Sequence, residues 1–375
     1  MAYRPAEAAP SPGARPGRAA SPPTGRPPGP SKGAPPASAP PASASNPRTA
    51  PPRIQRGTYA ALDLGTNNCR LLIARPQEDG FVVVDAFSRV VRLGEGLAAT
   101  GRLSDAAMDR AVSALSICAD KLMRRHVTLV RSVATEACRR ATNGADFVAR
   151  VHRETGIALE VITAETEAKL AVLGCHALLE PGDGPALVFD IGGGSTELVL
   201  LDTAAGEPRI VDWFSAPWGV VSLSENDPHM GHDADALQAS YHRMKARVAD
   251  AFAGFHGAIG ARMPGPMRLL GTSGTVTTLA SVHLKLPSYD RRAIDGLIVP
   301  SESMRAISAR LARMSVSERA TLACIGHERA DLVVAGCAIL DAILDIWPAE
   351  RLGVADRGIR EGILRTLMGR ERARP

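Results

Sequence analysis

The sequence has few aromatic residues, no paired cysteine motif and no long apolar run. Phe, Trp and Tyr make up 4% of the 375 residues, so we expect a core of Ala, Val, Leu and Ile. The six cysteines include no C-x-x-C pair, which favours free thiols in a reducing compartment over a disulfide scaffold or zinc site. No apolar run approaches the ~18–20 residues that span a bilayer, and the N-terminus lacks a secretory apolar core. These absences predict a cytoplasmic protein with no membrane partner.

Positive charge is concentrated at the N-terminus. Residues 1–56 carry eight basic side chains and one acidic one, Glu7. This surplus of seven exceeds the net charge of +5 for the whole chain, which leaves −2 for residues 57–375. The net positive charge of the chain therefore comes from the N-terminal segment and says nothing about the surface of the folded part. We predict no specific nucleic-acid partner.

Composition divides the chain into a tail and two domains. Residues 1–55 are rich in Pro, Ala, Gly and Arg, which predicts a disordered tail. The tail is interpreted as a solubilising segment or as a weak anchor for nucleic acid, polyphosphate or a domain that binds Pro-rich segments. Beyond it, we predict one α/β domain over 57–180 and a second over 185–350. A helix near 356–370 is a candidate to pack back on the first domain.

Two segments repeat one pattern. Near 59–85 and again near 186–214, an apolar strand ends in Asp, a Gly turn follows, and two further strands come next. This repetition predicts an internal duplication of an antiparallel meander. Helical periodicity predicts helices at 104–125, with Ser104 as N-cap, at 143–155, opened by Asn143, and at 164–179, 233–257, 276–284, 302–313 and 328–346.

The two Gly turns are the strongest indication of chemistry. Glycine tolerates unusual backbone conformations and lets main-chain N–H groups approach an anion closely. The Asp that ends each strand, Asp63 and Asp190, is placed to hold a hydrated cation or a water molecule. One such hairpin is an ordinary tight turn, but two at equivalent places predict a phosphate held between domains. A third turn, 270–275, opens a helix and is either an anion site or a plain helix start.

Several motifs resemble the exopolyphosphatase and guanosine pentaphosphate phosphohydrolase (Ppx/GppA) family. They are Asp-Leu-Gly-Thr-Asn at 63–67, Asp-Ile-Gly-Gly-Gly-Ser-Thr-Glu at 190–197, Gly-Thr-Ser-Gly-Thr at 271–275 and Gly-Ile-Arg-Glu-Gly at 358–362, with supporting segments at 134–143 and 160–170. The match runs over about 57–368 and resembles the short two-domain form, without an HD-type domain. It implies an α/β fold of duplicated actin-like, ribonuclease H-like domains that flank a cleft.

The resemblance implies a role for each matching residue. Glu167 matches the catalytic glutamate, which orients and deprotonates the attacking water. Asp190 and Glu197 match acidic positions that organise Mg²⁺ or the water, and Asp63 is a further metal ligand. The implied phosphate-binding residues are Gly65, Thr66, Asn67, Asn68, Arg139, Gly192, Gly193, Gly194, Ser195, Thr196, Gly271, Ser273 and Gly274.

The sequence departs from the family pattern near Glu167. Thr163-Ala164 replaces Ser-Gly, Thr166 replaces the first glutamate of an adjacent pair, and Lys169 replaces an arginine. We expect such changes to alter substrate or rate rather than abolish hydrolysis. In the C-terminal motif, Asp356, Arg357, Arg360 and Glu361 either close the domains through ion pairs or line the site.

The activity implied by the resemblance is hydrolysis of a terminal phosphoanhydride with Mg²⁺ or another divalent cation. Inorganic polyphosphate would release orthophosphate, and guanosine pentaphosphate would give the tetraphosphate. The alternatives are a kinase or ATPase of the same superfamily and a non-catalytic sensor of polyphosphate or alarmone nucleotides. A homodimer is one candidate for the oligomeric state.

Overall fold

The computed structural model describes residues 57–78, 80–182, 184–204, 208–231, 233–260 and 267–372. All of them belong to one compact unit, Pro52–Pro375. The tail predicted over 1–55 lies outside the described residues. Within those ranges, every helix is too short or too polar to cross a membrane.

The first sheet has five strands: β1 Tyr59–Leu64, β2 Asn68–Gln77, β3 Gly80–Val90, β4 Leu129–Ala134 and β5 Leu159–Val161. Their order is β3-β2-β1-β4-β5. The first three form an antiparallel meander, and β4 and β5 continue the sheet parallel to β1. We call this sheet and its packed helices the first lobe.

The second sheet has six strands: β6 Ala186–Ile191, β7 Thr196–Asp202, β8 Arg209–Ala216, β9 Arg268–Thr272, β10 Ile298–Pro300 and β11 Arg351–Ala355. From β8 the order is β8-β7-β6-β9-β11-β10. The strand directions repeat those of the first sheet, with β6 in the place of β1, and β10 adds an antiparallel edge. The predicted α/β fold of duplicated actin-like units is therefore confirmed. We call this half the second lobe.

Helices cover the sheets. The first half of the chain contains α1 Leu97–Thr100, α2 Asp105–Arg124, α3 Glu136–Arg140, α4 Gly144–Thr155 and α5 Ala164–Cys175, which a 3-10 turn, His176–Leu178, extends. The second half contains α6 Val220–Asn226, α7 Ala234–Gly260, α8 Gly274–His283, α9 Arg291–Ile294, α10 Ser301–Ala312, α11 Val316–Ala320, α12 Val333–Ile346 and α13 Ile359–Arg372.

Two helix starts test the cap predictions. Ser104 caps α2 as predicted, because its hydroxyl accepts a hydrogen bond from the Ala107 N–H. Asn143 is the N-cap residue of α4 as predicted, but its side chain makes no capping hydrogen bond. Instead it accepts from the Leu103 N–H at 2.9 Å and donates to the Leu103 carbonyl at 3.0 Å. Asn143 thus ties the start of α4 to the loop before α2. The helix predicted over 328–346 begins only at Val333, which leaves 328–332 as an irregular segment.

Helix α5 lies where the two sheets meet. Leu170 and Ala171 pack with the first sheet and α13, whereas Ala168 and Val172 pack with the second sheet. The crossing of α5 and α13 requires glycine, because a Cβ at Gly362 would collide with a backbone carbonyl of α5. This close packing fixes the base of the space between the lobes.

Candidate functional site

The two Gly hairpins have the same local geometry. In the first lobe the Gly65 N–H donates to the Asn68 carbonyl at 2.9 Å, and in the second the Gly192 N–H donates to the Ser195 carbonyl at 3.0 Å. Each hairpin joins the central strand of its sheet to the next strand of the meander. The duplication therefore presents two equivalent loops to one space between the lobes.

In the second hairpin, the glycines at 193 and 194 are needed for close approach rather than for backbone freedom. None of the glycines at 65, 192, 193 and 194 has a positive φ, so the expectation of unusual conformations does not hold there. Instead, a Cβ at Gly193 would lie 2.9 Å from the Thr66 Cβ and 3.0 Å from the Asn67 nitrogen. A Cβ at Gly194 would lie 2.7 Å from the Thr66 Oγ1. Side chains at these positions would force the two hairpins apart.

A cavity of about 140 Å³ lies at the meeting point of the hairpins, the turn before α8 and the start of α13. Most of the predicted site residues line it: Asp63, Gly65, Thr66, Asn67, Asn68, Glu167, Asp190, Gly192, Gly193, Gly194, Ser195, Glu197, Ser273 and Gly274. Residues that lie far apart in the chain are thus brought to one place.

Three predicted phosphate-binding residues do not line the cavity. The Thr196 hydroxyl is buried and donates to the Trp218 carbonyl at 2.6 Å. Gly271 lies within β9, where a Cβ would meet the Phe189 ring at 2.7 Å, so its small size serves sheet packing. Arg139 is not among the lining residues, and its guanidinium pairs with the carboxylates of Glu136 and Glu167. At these three positions the side chain or glycine has a packing or pairing partner outside the cavity lining, and contact with phosphate stays a prediction.

Arg139 holds Glu167 in place. Its Nη1 lies 3.2 Å from the Glu167 Oε2 and donates to the Ile162 carbonyl at 2.8 Å. Its Nη2 lies 2.6 Å from the Glu136 Oε2. Glu167, in the first turn of α5, is 7% exposed. The ion pair fixes the direction in which this buried carboxylate faces the cavity.

Four carboxylates are enclosed together, and their pKa values rise. Loss of bulk water raises the pKa of Asp190 to about 6 and that of Glu197 to about 7. Burial, followed by the Glu197 charge, raises the pKa of Glu167 well above its ordinary value. Burial also raises the pKa of Asp63, against the opposing influence of Arg70. Burial therefore opposes ionisation of all four carboxyl groups.

The departures from the family pattern on α5 lie outside the cavity lining. The Thr166 hydroxyl lies 3.0 Å from that of Thr163, which caps the helix. Lys169 is exposed and pairs with Glu165 at 2.6 Å. The substituted side chains therefore do not contribute to the cavity lining around Glu167.

Four arginines line the cavity: Arg70, Arg329, Arg357 and Arg360. Two of the four were not predicted from the sequence. Arg357 and Arg360 belong to the C-terminal motif, for which a lining role is one of the two expectations, whereas Arg70 and Arg329 are not predicted. Arg70 extends from β2 towards the second lobe, because a Cβ at Gly274 would lie 3.7 Å from its Nη2. The duplication held a signal for it: Arg70 and Glu197 each follow a strand-ending Asp by seven positions.

Ser273 has a strained backbone. Its φ of 87° and ψ of −176° lie in a region that is essentially reserved for glycine. The strain accompanies a hydrogen bond in which the Ser273 hydroxyl donates to the Ile191 carbonyl at 2.7 Å. This contact fastens the turn before α8 to the end of β6, beside Asp190.

The donor set suits a hydrated cation. The described ranges contain no group of three His, Cys, Asp or Glu side chains placed to cage a metal ion. Mg²⁺ needs only one or two carboxylates, because it retains water and binds substrate phosphates. The Asp63 Oδ1 and Asn67 Oδ1 are buried without a hydrogen-bond partner among the described residues. Unpaired oxygen atoms and crowded carboxylates therefore fit Mg²⁺ better than a metal that needs a full protein cage.

The fold and the cavity together define a two-lobed α/β protein whose interlobe site combines carboxylates, arginines and glycine hairpins. The model of the Ppx/GppA phosphatase family matches residues 72–371, and the chain belongs to this family. Exopolyphosphatase 2 of Mycobacterium tuberculosis is 33% identical over 330 residues, which cover 83% of this chain and 98% of that protein.

Two further comparisons agree with this assignment. A guanosine-5'-triphosphate,3'-diphosphate pyrophosphatase of Aeromonas hydrophila is 30% identical over 314 residues, 83% of this chain but 59% of that longer protein. The crystal structure of the Aquifex aeolicus Ppx/GppA family member superposes with a TM-score of 0.67 at 27% identity, over 84% of this chain and 98% of that one.

Proposed function

We propose that this chain is a hydrolase that cleaves the terminal phosphoanhydride bond of inorganic polyphosphate or guanosine pentaphosphate. The observation that carries the proposal is the placement of a buried glutamate, paired hairpins and arginines around one cavity. The names of the relatives, exopolyphosphatase and guanosine-5'-triphosphate,3'-diphosphate pyrophosphatase, support an anhydride as the bond that is broken.

The hairpins and arginines bind the phosphate chain in this proposal. The hairpin loops line the cavity, and main-chain N–H groups of such loops suit phosphoryl oxygens. The Ser195 hydroxyl donates to the Glu197 Oε1 at 2.7 Å and holds that carboxylate in place. Arg70 and Arg360 already lower the pKa of Asp63 through their charge. Their guanidinium groups would likewise offset the negative charge of a bound phosphate.

Glu167 acts as the general base. Its raised pKa makes the carboxylate a stronger proton acceptor, which is suited to removing a proton from an attacking water. Arg139 keeps the carboxylate oriented and opposes excessive protonation. Mg²⁺ held by Asp63, Asp190 and Glu197 would offset charge on the transferred phosphoryl group.

Orthophosphate release from the two substrates, measured side by side with Mg²⁺, tests the proposal. We expect Glu167→Gln to lower kcat by about 10²–10⁴-fold, because it removes the proton acceptor. Glu165→Gln is the matched control, since Glu165 lies on the same helix, is exposed and pairs with Lys169. It should retain wild-type turnover.

The same assay separates the alternatives. Turnover without any acceptor counts against a kinase. Binding without release by the wild type, with Glu167→Gln indistinguishable from it, identifies a sensor and refutes the hydrolase. The ratio of the two kcat/KM values then assigns the substrate.

A further inference from the structure

The irregular segment 328–332 places Arg329 in the cavity lining and is held from two sides. From within the second lobe, the Arg319 Nε donates to the Ala330 carbonyl at 2.8 Å. Arg319 is 1% exposed, so this anchor is a fixed part of the lobe. From the first lobe, Arg92 forms a two-pronged ion pair with Asp331, with contacts of 2.8 and 3.2 Å. Arg92 also approaches the Glu328 carbonyl at 3.4 Å.

Arg92 is itself fastened to the first Gly hairpin. The N–H groups of Val91 and Arg92 both donate to the Asn67 carbonyl, at 2.8 and 3.0 Å. The Gly94 N–H donates to the Thr66 carbonyl at 2.9 Å. Arg92 has a φ of 47°, a left-handed conformation that costs a non-glycine residue energy and persists only where surrounding contacts enforce it. The position of the Arg92 side chain thus follows the position of the hairpin.

A second polar contact crosses between the lobes beside the first. The Gly96 N–H donates to the Glu225 Oε1 at 2.8 Å. Glu225 lies on α6, whose first turn is hydrogen-bonded to the second hairpin through the Val221 N–H and the Gly193 carbonyl at 2.8 Å. The loop after β3 therefore supports the first hairpin, and α6 supports the second. The hydrogen bond from Gly96 to Glu225 joins this loop to α6 across the lobes.

We propose that Arg92 is a positioning residue that couples the approach of the two hairpins to the placement of Arg329 in the cavity. The inference rests on the proposed function only in assuming that the cavity binds a phosphate chain. When Arg92 binds Asp331, both lobes hold segment 328–332. The Arg329 guanidinium then stays beside Thr278, to whose hydroxyl it donates at 2.8 Å. Without Arg92, the contacts among the described residues leave the segment held by the second lobe alone, and we expect the Arg329 guanidinium to be less firmly fixed beside Thr278.

A double-mutant cycle on the full chain tests this coupling. Arg92→Ala and Arg329→Ala are made singly and together, and two readouts are taken: KM and kcat for polyphosphate, and Kd for inorganic tripolyphosphate by calorimetry. We expect Arg92→Ala to raise KM and Kd about fivefold, with kcat changed by less than about twofold. In the Arg329→Ala background the same change should add less than about twofold. A full fivefold effect in both backgrounds would overturn the proposal.

Further variants guard against a trivial loss of folding. Asp331→Asn removes the partner from the other lobe and should reproduce the rise in KM, whereas wild-type KM for Asp331→Asn overturns the coupling. Arg92→Lys should fall between wild type and Arg92→Ala, because it keeps the charge without the two-pronged contact. Arg124→Ala removes an exposed arginine that pairs with Asp120 within the first lobe, and it should change neither KM nor Kd.

The two proposals fail in different ways. If the wild type binds tripolyphosphate but releases no phosphate from polyphosphate or guanosine pentaphosphate, the hydrolase is refuted and the Kd cycle still decides the role of Arg92. If the wild type releases phosphate from guanosine pentaphosphate but does not bind tripolyphosphate, the proposal for Arg92 is overturned and the hydrolase stands.

Discussion

Arg70 and Glu197 occupy the same position in the two lobes, each directly opposite the aspartate that ends the preceding strand. In the β1–β2 register Asp63 faces Arg70, and in the β6–β7 register Asp190 faces Glu197. The duplicated hairpin thus carries a cation in one copy and an acid in the other. Arg70 lowers the pKa of both aspartates, against the larger effect of burial. The two copies thus place a positive charge on one side of the cavity and a carboxylate on the other.

From this relationship we predict that Arg70→Ala weakens substrate binding. Loss of a charge-assisted contact with phosphate, about 1.5–3 kcal/mol, should raise KM by roughly 10–150-fold. Steady-state kinetics with polyphosphate and with guanosine pentaphosphate provide the measurement. Arg75→Ala is the control, because Arg75 lies exposed on the same strand. Equal KM values for the two variants would exclude Arg70 from phosphate binding.

The contact between the hairpins leads to a second prediction. At Gly193 an alanine Cβ would lie 2.9 Å from the Thr66 Cβ and 3.0 Å from a backbone nitrogen, so Gly193→Ala must separate the hairpins. We expect a loss of about 1–3 kcal/mol in the free energy of unfolding and a fall in kcat/KM of at least about tenfold, since small misplacements are costly. Urea denaturation and phosphate release measure the two effects.

Gly254→Ala is the matched control for Gly193→Ala. Gly254 lies within α7, and a Cβ there would meet nothing within 4 Å. It should stabilise the protein by about 0.5–1 kcal/mol through helix propensity and leave kcat/KM unchanged. Wild-type kcat/KM for Gly193→Ala would mean that the hairpins need not touch.

The hairpins could be predicted because their chemistry is local. A strand, an aspartate and a glycine-rich turn can be recognised within about ten residues, and the repetition at 190–197 predicted both the duplication and the shared cavity. The reason for the glycines could not be found in the same way. Gly193 is small because Thr66, more than a hundred positions earlier, packs against it, and only tertiary structure brings the two together.

The remaining lining residues illustrate the same limit. Arg329 lies in the cavity because segment 328–332 stays irregular before α12 begins, although its periodicity predicted helix. The Asn143 side chain is a good helix cap by type, but Leu103 lies close enough to take its hydrogen bonds. Local propensity was overridden where a partner distant in sequence offered a better contact.

The acidic cluster leads to a prediction about pH. Because the folded protein raises the pKa of Glu197 from its ordinary 4.5 to about 7, the folded state binds this proton more tightly than the unfolded state. Its contribution to stability is therefore favourable at low pH and is lost as pH rises between about 4.5 and 7. We expect Glu197→Gln to raise Tm relative to wild type at pH 8 and to have little effect at pH 4.5.

Thermal unfolding at both pH values, with and without Mg²⁺, checks this expectation. If the cluster holds Mg²⁺, the ion should raise the Tm of the wild type more at pH 8 than at pH 4.5, and Glu197→Gln should reduce that gain. Glu165→Gln, which changes an exposed carboxylate on α5, serves as control and should keep the wild-type gain in Tm from Mg²⁺. A Tm for Glu197→Gln below that of wild type at pH 8 would contradict the expected direction of the effect.

The strained turn at Ser273 leads to the last prediction. With φ at 87° and ψ at −176°, glycine can adopt this conformation without the cost that alanine incurs, about 1–3 kcal/mol. Both Ser273→Gly and Ser273→Ala lose the hydrogen bond to Ile191, so their difference isolates the backbone. The glycine variant should therefore be the more stable of the two in urea denaturation. At Ser113, exposed within α2, the order should be reversed, with alanine favoured by about 1 kcal/mol. Alanine equal to or better than glycine at 273 would show that the turn relaxes, and that the serine hydroxyl rather than the surrounding fold maintains the strain.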